Sequence, residues 1–258
     1  MTNKILVTGS NGQLGSDLRD LAASYPQNEF VFTDVAELSI TDRDAVNSFF
    51  ANERPAYLVN CAAYTAVDKA ESEKALSDEI NGTAVGILAS ACQEHGTRFI
   101  HISTDYVFNG EASSPLKETD QVDPVNAYGA SKLLGEQLAI QNNPSVIIIR
   151  TSWVYSFYGK NFVKTMMRLM SEKQSLGIID DQLGSPTYAA DLAEAIMQII
   201  SSGKWEQGIY NYSNDGVISW FDFANEIKHQ IGSNCIVNPL TTEQFPTPAK
   251  RPKYSVLD

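Results

Sequence analysis

The stretch KILVTGSNGQLGSDLRDL, residues 4–21, decides the fold of this chain. Its first six residues form an apolar run that ends in glycine, which predicts a short buried strand. Glycines recur at positions 9, 12 and 15, and the leucines that follow repeat at the spacing of one helix face. The stretch therefore predicts a strand, a tight glycine-rich turn and the start of a helix.

Each glycine of this turn has a physical use in binding a dinucleotide. Gly9 permits the tight turn, Gly12 lets the backbone approach a pyrophosphate, and Gly15 lets the helix pack closely on the strand. The free N–H groups at the helix start then face the phosphates. Asp34 ends the second predicted strand, where a carboxylate can accept hydrogen bonds from an adenosine ribose. The alternative interpretation is a helix-start turn followed by an ordinary strand-end aspartate.

Strands and helices alternate along the first part of the chain. Strands are predicted at 4–9, 29–34, 56–63, 98–104 and 145–152, and helices at 12–25, 41–53, within 71–96 and at 127–141. This alternation predicts right-handed βαβ units and a parallel sheet. We expect an α/β fold with a doubly wound parallel sheet, a Rossmann domain over residues 1–155. A smaller C-terminal α/β lobe, mainly substrate-binding and interleaved with the core, is expected over 156–258.

The pattern is looser in the second part. Helices are predicted at 161–173, 189–202 and 219–232, the last capped by Ser219, with a short strand at 208–213. The proline-containing tail, 238–258, is either an ordered loop over a surface or a mobile tail.

Ligands on parallel sheets bind beyond the carboxyl ends of the strands, so the strand ends mark the expected site. The residues at those ends are Gly9, Asp34, Ala62, Ala63, Thr104 and Trp153.

Charge and hydropathy narrow the classes of function. The net charge is −12 over 258 residues, which disfavours contact with a nucleic-acid backbone. No apolar run approaches the ~20 residues that span a bilayer, and the N-terminus has no signal-peptide pattern. We expect a cytoplasmic protein that binds neither nucleic acid nor membrane and is a monomer or a homodimer.

Cysteines and histidines give no metal signature. Cys61, Cys92 and Cys235 are widely spaced in apolar contexts, which predicts reduced core thiols. The three histidines show no metal-ligand spacing with them. We therefore assign no metal site, and we expect the histidines to be structural.

The segment AYGASK, residues 127–132, places a phenol and an ammonium on one helix face, because Tyr128 and Lys132 are four positions apart. With Thr104 at a neighbouring strand end, these groups suit the reduction of a ketone, in which hydride addition creates an alkoxide that an acid must protonate. A cation about 4 Å from the phenol is worth roughly 4 kcal/mol at an effective dielectric near 20. That corresponds to about three pKa units. The sequence therefore predicts that Lys132 lowers the pKa of Tyr128. A surface pair is the alternative.

Several segments together resemble the extended short-chain dehydrogenase/reductases, and more narrowly the dTDP-4-dehydrorhamnose reductases. They are TGSNGQLG, NCAAYTAVDKAE, STDYVFNG, AYGASKLLGE, RTSWVYS, DDQLGSPTYAADLA and RPKYSVLD, and the resemblance runs from residue 4 to 258. The resemblance implies that NADPH or NADH reduces the C4 ketone of dTDP-4-dehydro-L-rhamnose to give dTDP-L-rhamnose. Members of that family commonly continue past the last of these motifs into another helix, whereas this sequence ends at Asp258.

The resemblance assigns roles to residues by motif. Tyr128 is implied as the general acid, Lys132 as its tuning group and ribose ligand, and Thr104 as a donor to the substrate oxygen. Asp105 and Trp153 are implied as further contacts to the sugar nucleotide. The implied cofactor contacts are Gly9, Asn11, Gly12, Gln13, Leu14, Gly15, Asp34, Ser39, Ile40, Ala62, Ala63 and Tyr64, with Tyr128 and Lys132.

Two other functions stay open at this point. One is another nucleotide-sugar reductase or epimerase of the same fold; a 4,6-dehydratase is disfavoured, because Tyr106 and not glutamate follows Asp105. The other is a non-catalytic dinucleotide-binding subunit, although such a module has no need of a Thr–Tyr–Lys set. Metal dependence and the nucleotide base are not settled by the sequence.

Overall fold

Six parallel strands form the central sheet of the computed structural model, which describes residues 3–258. All strands of the chain are numbered in chain order, including those outside this sheet. The six strands of the sheet are β1 (Asn3–Thr8), β2 (Asn28–Thr33), β3 (Tyr57–Asn60), β4 (Arg98–Thr104), β5 (Ile147–Thr151) and β10 (Gly208–Tyr212). Their order in space is β2-β1-β3-β4-β5-β10, a doubly wound order in which the direction of winding reverses between β1 and β3. The predicted fold class is confirmed.

Helices cover both faces of this sheet. The helices of the chain are α1 (Gln13–Leu21), α2 (Arg43–Glu53), α3 (Val67–Ala70), α4 (Lys74–Asp78), α5 (Ala84–His95), α6 (Ala127–Asn142), α7 (Phe162–Glu172), α8 (Ala189–Ser201) and α9 (Trp220–Gln230). Strand β1 shows how the two layers arise: Leu6 packs into a core with α2 and α5, whereas Ile5 and Val7 pack into a second core with α1 and α8. Buried apolar residues on both faces are typical of a parallel sheet.

The predicted long helix within 71–96 is interrupted, which corrects that prediction. A π-helical turn, Glu79–Thr83, separates α4 from α5, and Gly96 closes α5 with φ +68° as expected. Within the π turn, the Asn81 side chain accepts from the backbone N–H of Tyr64 and donates to its carbonyl, at 2.8 and 2.9 Å. Helix α6 packs so closely here that a Cβ at Gly135 would lie 2.1 Å from the Asn81 carbonyl oxygen.

Residues 156–258 contribute to two parts of the molecule. Helix α8 packs on α1, and β10 is the edge strand of the central sheet. In the rest, which we call the C-terminal lobe, α7 and α9 enclose an apolar cluster that includes Met166, Met170 and Ile227. The strands outside the central sheet are β6 (Val154–Tyr155), β7 (Ser175–Ile179), β8 (Leu183–Gly184), β9 (Thr187–Tyr188), β11 (Ile218–Ser219) and β12 (Ile236–Leu240). Ser219 caps α9 through a capping box, as predicted.

The tail is ordered, so the mobile alternative is wrong. Strand β12 pairs in parallel with β7, and Pro239 is tolerated there because the two strands form a sheet by themselves. The last six residues hydrogen-bond to two distant segments, with Ser255 N–H donating to the Leu183 carbonyl and Leu116 N–H donating to the Val256 carbonyl, both at 2.9 Å. No helix among residues 3–258 is long and apolar enough to cross a membrane.

Candidate active site

The glycine turn between β1 and α1 has the shape that the sequence predicts. Gly9 has φ +65°, and a Cβ there would lie 2.5 Å from the Ala62 nitrogen. A Cβ at Gly15 would lie 2.5 Å from the Ser10 Cα. Gly12 is the N-cap of α1, and no side chain caps the first N–H groups of the helix. These groups therefore remain available for an anion, which fits a pyrophosphate.

Beside this turn lies the first cavity, of about 540 Å³. Most of the predicted cofactor residues line it, namely Gly9, Asn11, Gly12, Asp34, Ser39, Ile40, Ala62 and Ala63. Asp34 holds the turn in place, because its Oδ2 accepts from the Asn11 N–H at 3.0 Å. The described residues that line the cavity include no lysine or arginine but two acids, Asp34 and Glu79. Arg19, the nearest basic residue of α1, instead donates to Ser10 and stacks on Phe32.

A second cavity, of about 730 Å³, continues from the first and shares Gly12, Cys61 and Ala63 with it. Every residue predicted to act in catalysis or to touch the substrate lines this cavity: Thr104, Asp105, Tyr128, Lys132 and Trp153. Gln13 and Leu14 line it too. A dinucleotide lying across the turn would therefore extend from the first cavity into the second, where the polar side chains converge.

Tyr128 is placed by the first turn of α6. Asn126 caps this helix by accepting from the Gly129 N–H at 2.7 Å. Gly129 lets the helix approach the 3₁₀ turn that follows β4, since a Cβ there would lie 2.1 Å from the Tyr106 carbonyl oxygen. Burial raises the pKa of Tyr128 to about 12, and the Thr104 hydroxyl opposes the rise. The phenol is therefore protonated at neutral pH and can donate a proton.

Lys132 is buried one turn further along the helix. Its Nζ donates to the Ile102 carbonyl at 2.6 Å and lies 3.5 Å from His101 Nε2. Burial lowers the pKa of Lys132 to about 8, and Glu136 opposes the fall. The pKa of Tyr128 thus rises where the sequence predicted a fall, because burial disfavours the charged forms of both groups.

Asp105 is a buried carboxylate beside these groups. Its Oδ1 accepts from the Thr104 hydroxyl at 2.9 Å, whereas Oδ2 has no hydrogen-bond partner among the described residues. Burial raises the pKa of Asp105 to about 6, and the nearby hydroxyls of Ser255 and Thr104 only partly offset this. Thr104 and Asp105 thus form a pair whose polar atoms face the cavity without a full set of partners.

Trp153 lies at the end of β5 with a strained backbone, since its φ is +47°. Its indole is half-buried and stacks on Trp220 at 3.5 Å between ring centroids, with an interplanar angle of 9°. Gly184 makes room for it, because a Cβ there would lie 2.5 Å from the indole. Trp153 therefore forms part of an aromatic wall of the cavity, and is not a core aromatic.

A third cavity, of about 700 Å³, shares Tyr106 and Trp220 with the second and lies against the C-terminal lobe. Apolar residues form most of its walls, and Lys173 and Arg251 are its cations. Arg251, from the ordered tail, pairs with Asp68 through two hydrogen bonds of 2.5 and 2.9 Å. The site thus contains a largely apolar chamber next to the catalytic side chains, whose charged lining residues are Lys173, Arg251 and the Asp68 that pairs with Arg251.

Two predicted cofactor residues lie outside the cavity walls. Gly15 acts through helix packing, and the Tyr64 hydroxyl donates to Glu73. Sequence reasoning in turn missed Lys160 and Trp220, which line the second cavity, and Arg251 in the third. The aromatic residue that follows the Ser219 cap was the one available signal for Trp220. No cluster of three metal-ligating side chains occurs among residues 3–258.

A Rossmann sheet with this glycine turn and this Thr–Tyr–Lys set defines a dinucleotide-dependent oxidoreductase of the short-chain dehydrogenase/reductase class. The family model described as "RmlD substrate binding domain" matches residues 3–258. The chain belongs to that family.

Individual relatives agree with this assignment. The dTDP-4-dehydrorhamnose reductase of Aggregatibacter actinomycetemcomitans is 41% identical, over 99% of this chain and 90% of the relative. A spore coat polysaccharide biosynthesis protein of Bacillus subtilis, SpsK, is 43% identical over 98% of this chain and 88% of its own length. The structure of dTDP-4-dehydrorhamnose reductase from Bacillus anthracis in complex with NADP superposes with a TM-score of 0.97. It is 40% identical, and the match covers 100% of this chain and 91% of that one.

Proposed function

We propose that this protein reduces the C4 ketone of dTDP-4-dehydro-L-rhamnose to dTDP-L-rhamnose with NADPH or NADH. The observation that carries the proposal is the position of Tyr128, a protonated phenol that lines the second cavity together with Lys132 and the indoles of Trp153 and Trp220. The names of relatives about 40% identical over almost the whole chain support the substrate and the reaction.

The residues of the first two cavities fit a dinucleotide. Gly9, Gly12 and the first N–H groups of α1 would hold the pyrophosphate, and the carboxylate of Asp34 would accept from the adenosine ribose. Lys132 would donate to the other ribose from its place in the second cavity. When bound, the nicotinamide supplies the hydride that reduces the ketone.

The chain's own residues would manage the charge that develops on the C4 oxygen. Tyr128 donates its proton to that oxygen, since its pKa of about 12 keeps it protonated at working pH. The Thr104 hydroxyl, which donates to Asp105 in this structure, would turn to donate to the same oxygen. The ammonium of Lys132 would stabilise the phenolate that Tyr128 becomes once it has given up its proton.

The nucleotide part of the substrate would occupy the third cavity. Its apolar walls suit a base, and Lys173 and Arg251 could neutralise a diphosphate. The indoles of Trp153 and Trp220 offer a flat apolar surface for the sugar ring. The substrate would thus lie with its C4 oxygen at Tyr128 and its charge towards the lobe.

A direct assay tests the proposal. The purified protein is mixed with NADPH, or NADH, and dTDP-4-dehydro-L-rhamnose generated in situ, and the product is identified by NMR and mass spectrometry. We expect one dinucleotide oxidised for each dTDP-L-rhamnose formed. Conversion without net oxidation would identify an epimerase. Cofactor binding by isothermal titration, with no turnover of any deoxysugar nucleotide, would identify a binding subunit.

A further inference from the structure

A chain of hydrogen bonds runs beneath Lys132 through the central sheet. Asn60, at the end of β3, accepts at Oδ1 from the Ala62 N–H at 3.1 Å and from the Thr8 hydroxyl at 2.7 Å. Its Nδ2 lies 3.1 Å from His101 Nδ1, and His101 Nε2 lies 3.5 Å from Lys132 Nζ. All four side chains are buried, with His101 and Asn60 fully so.

The backbone fixes the direction of this chain. An N–H group can only donate, so the Asn60 atom that faces Ala62 must be the oxygen. The other amide atom is then an NH₂ group, which also can only donate, and His101 Nδ1 must accept from it. A neutral imidazole with Nδ1 unprotonated carries its proton on Nε2. Protonation of Nδ1 would set two donors against each other.

The Nε2–H of His101 therefore points at the amine of Lys132. This contact opposes an ammonium on Lys132, whereas the Ile102 carbonyl at 2.6 Å accepts one of its hydrogens. Other titratable groups near the amine are Glu136 on α6, Cys61 after β3, and Tyr128 and Asp105 across the cavity. Burial raises the pKa of Cys61 to about 12, which leaves the thiol neutral.

We propose that His101 is a positioning residue for Lys132, locked by Ala62 and Asn60 as the neutral Nε2–H tautomer. Because Nε2 of the ring carries a hydrogen, it cannot accept a hydrogen bond from the Lys132 amine on the side of the sheet. The remaining hydrogens of Lys132 therefore point into the cavity, where the ribose and Tyr128 would lie. The ring also favours release of a proton from Lys132. The effect of His101 on turnover rests on the proposed function, but the assignment of its tautomer does not.

The tautomer is measured directly by ¹⁵N NMR of the imidazole nitrogens in the ¹⁵N-labelled full chain. We expect His101 to show a protonated Nε2 and an unprotonated Nδ1 at every pH from 5 to 9. His95 and His229 are exposed and serve as internal references in the same spectra. A His101 that carries its proton on Nδ1, or that titrates in this range, overturns the proposal.

Two variants reverse the polarity at the amine. His101→Gln can turn its side-chain oxygen to Lys132, and Asn60→Asp gives Nδ1 an acceptor, so that Nε2 becomes unprotonated. A hydrogen bond to a charged group is worth one pKa unit or more, so in both variants the pH at which turnover falls on the basic side should rise by about one unit. His229→Gln, at an exposed site, should leave it unchanged. The proposal would be overturned if the variants fold normally, as judged by circular dichroism, and their turnover falls on the basic side at the same pH as that of the wild type.

A readout independent of turnover separates this proposal from the proposed function. The dissociation constant of NADPH is measured by titration between pH 6 and 10. The pH above which the affinity for NADPH declines should be about one unit higher in His101→Gln than in the wild type. Equal profiles in the two proteins would remove His101 from the argument even if the reductase assay succeeds. A shifted profile would sustain it even if the substrate proves different.

Discussion

Replacing Asp105 by Asn should stabilise the protein at neutral pH, although it should slow the reaction. Asp105 is only 2% exposed and its Oδ2 has no hydrogen-bond partner among the described residues. Its carboxylate is therefore an ionised group held in a poor environment. An amide keeps the size of the side chain and the acceptor for Thr104, but removes the charge.

The magnitude follows from the pKa. Burial raises the pKa of Asp105 from 3.8 to about 6, which corresponds to about 3 kcal/mol. A raised pKa means that the folded state binds the proton more tightly than the unfolded state does. The resulting stability is fully present below pH 3.8 and is lost as the pH rises through about 6. The variant lacks this dependence, so its advantage over the wild type should grow by about 2–3 kcal/mol between pH 4 and pH 8.

Urea unfolding of both proteins across that pH range measures the difference. Comparing pH values cancels any constant offset from the new amide, and an unchanged m-value keeps the comparison valid. Asp123→Asn, at an exposed position, is the matched control and should show no such growth. A difference between Asp105→Asn and wild type that stays constant with pH, or that shrinks as pH rises, would refute the reasoning.

Three further predictions concern turnover and binding. Tyr128→Phe removes the proton donor alone, so kcat should fall ~10²–10⁴-fold while the Kd for NADPH is kept; near-full turnover in steady-state kinetics would remove Tyr128 from the mechanism. Trp153→Ala should raise KM for the sugar nucleotide and leave the Kd for NADPH unchanged, because the indole lines the second cavity and stacks on Trp220; a lower urea midpoint with an unchanged KM would make it structural. NADH and NADPH should have kcat/KM values within about tenfold, or roughly 1.4 kcal/mol, since no lysine or arginine is among the described residues that line the first cavity. A preference for NADPH above about a hundredfold would require a cation that binds the 2′-phosphate.

Local rules predicted the parts of the site that one segment builds by itself. The glycine turn follows from the steric needs of Gly9 and Gly15, and the alternation of strands and helices fixes which side chains end strands. All six strand-end residues singled out in the sequence line the first or the second cavity. Tyr128 and Lys132 share a helix face by spacing alone.

Contacts between distant segments were beyond such rules. Trp220 reaches the second cavity because α9 packs on α7, and Arg251 faces the third because the tail pairs with β8. The π turn before α5 lies where Gly135 of α6 comes close to Asn81, a contact that no pattern in residues 71–96 encodes. The pKa of Tyr128 was predicted in the wrong direction, because spacing gives the distance to Lys132 but not the burial of both groups.

Deuterium transfer tests the central claim most directly. The protein is given dTDP-4-dehydro-L-rhamnose and NADPH that carries deuterium at both positions of C4 of the nicotinamide ring. We predict dTDP-L-rhamnose with deuterium at C4 of the sugar, one per dinucleotide oxidised, and a slower but equally labelled reaction in Tyr128→Phe. A product without deuterium at C4, or conversion of the sugar with no net oxidation of NADPH, would contradict the assignment of this site as a C4 ketone reductase.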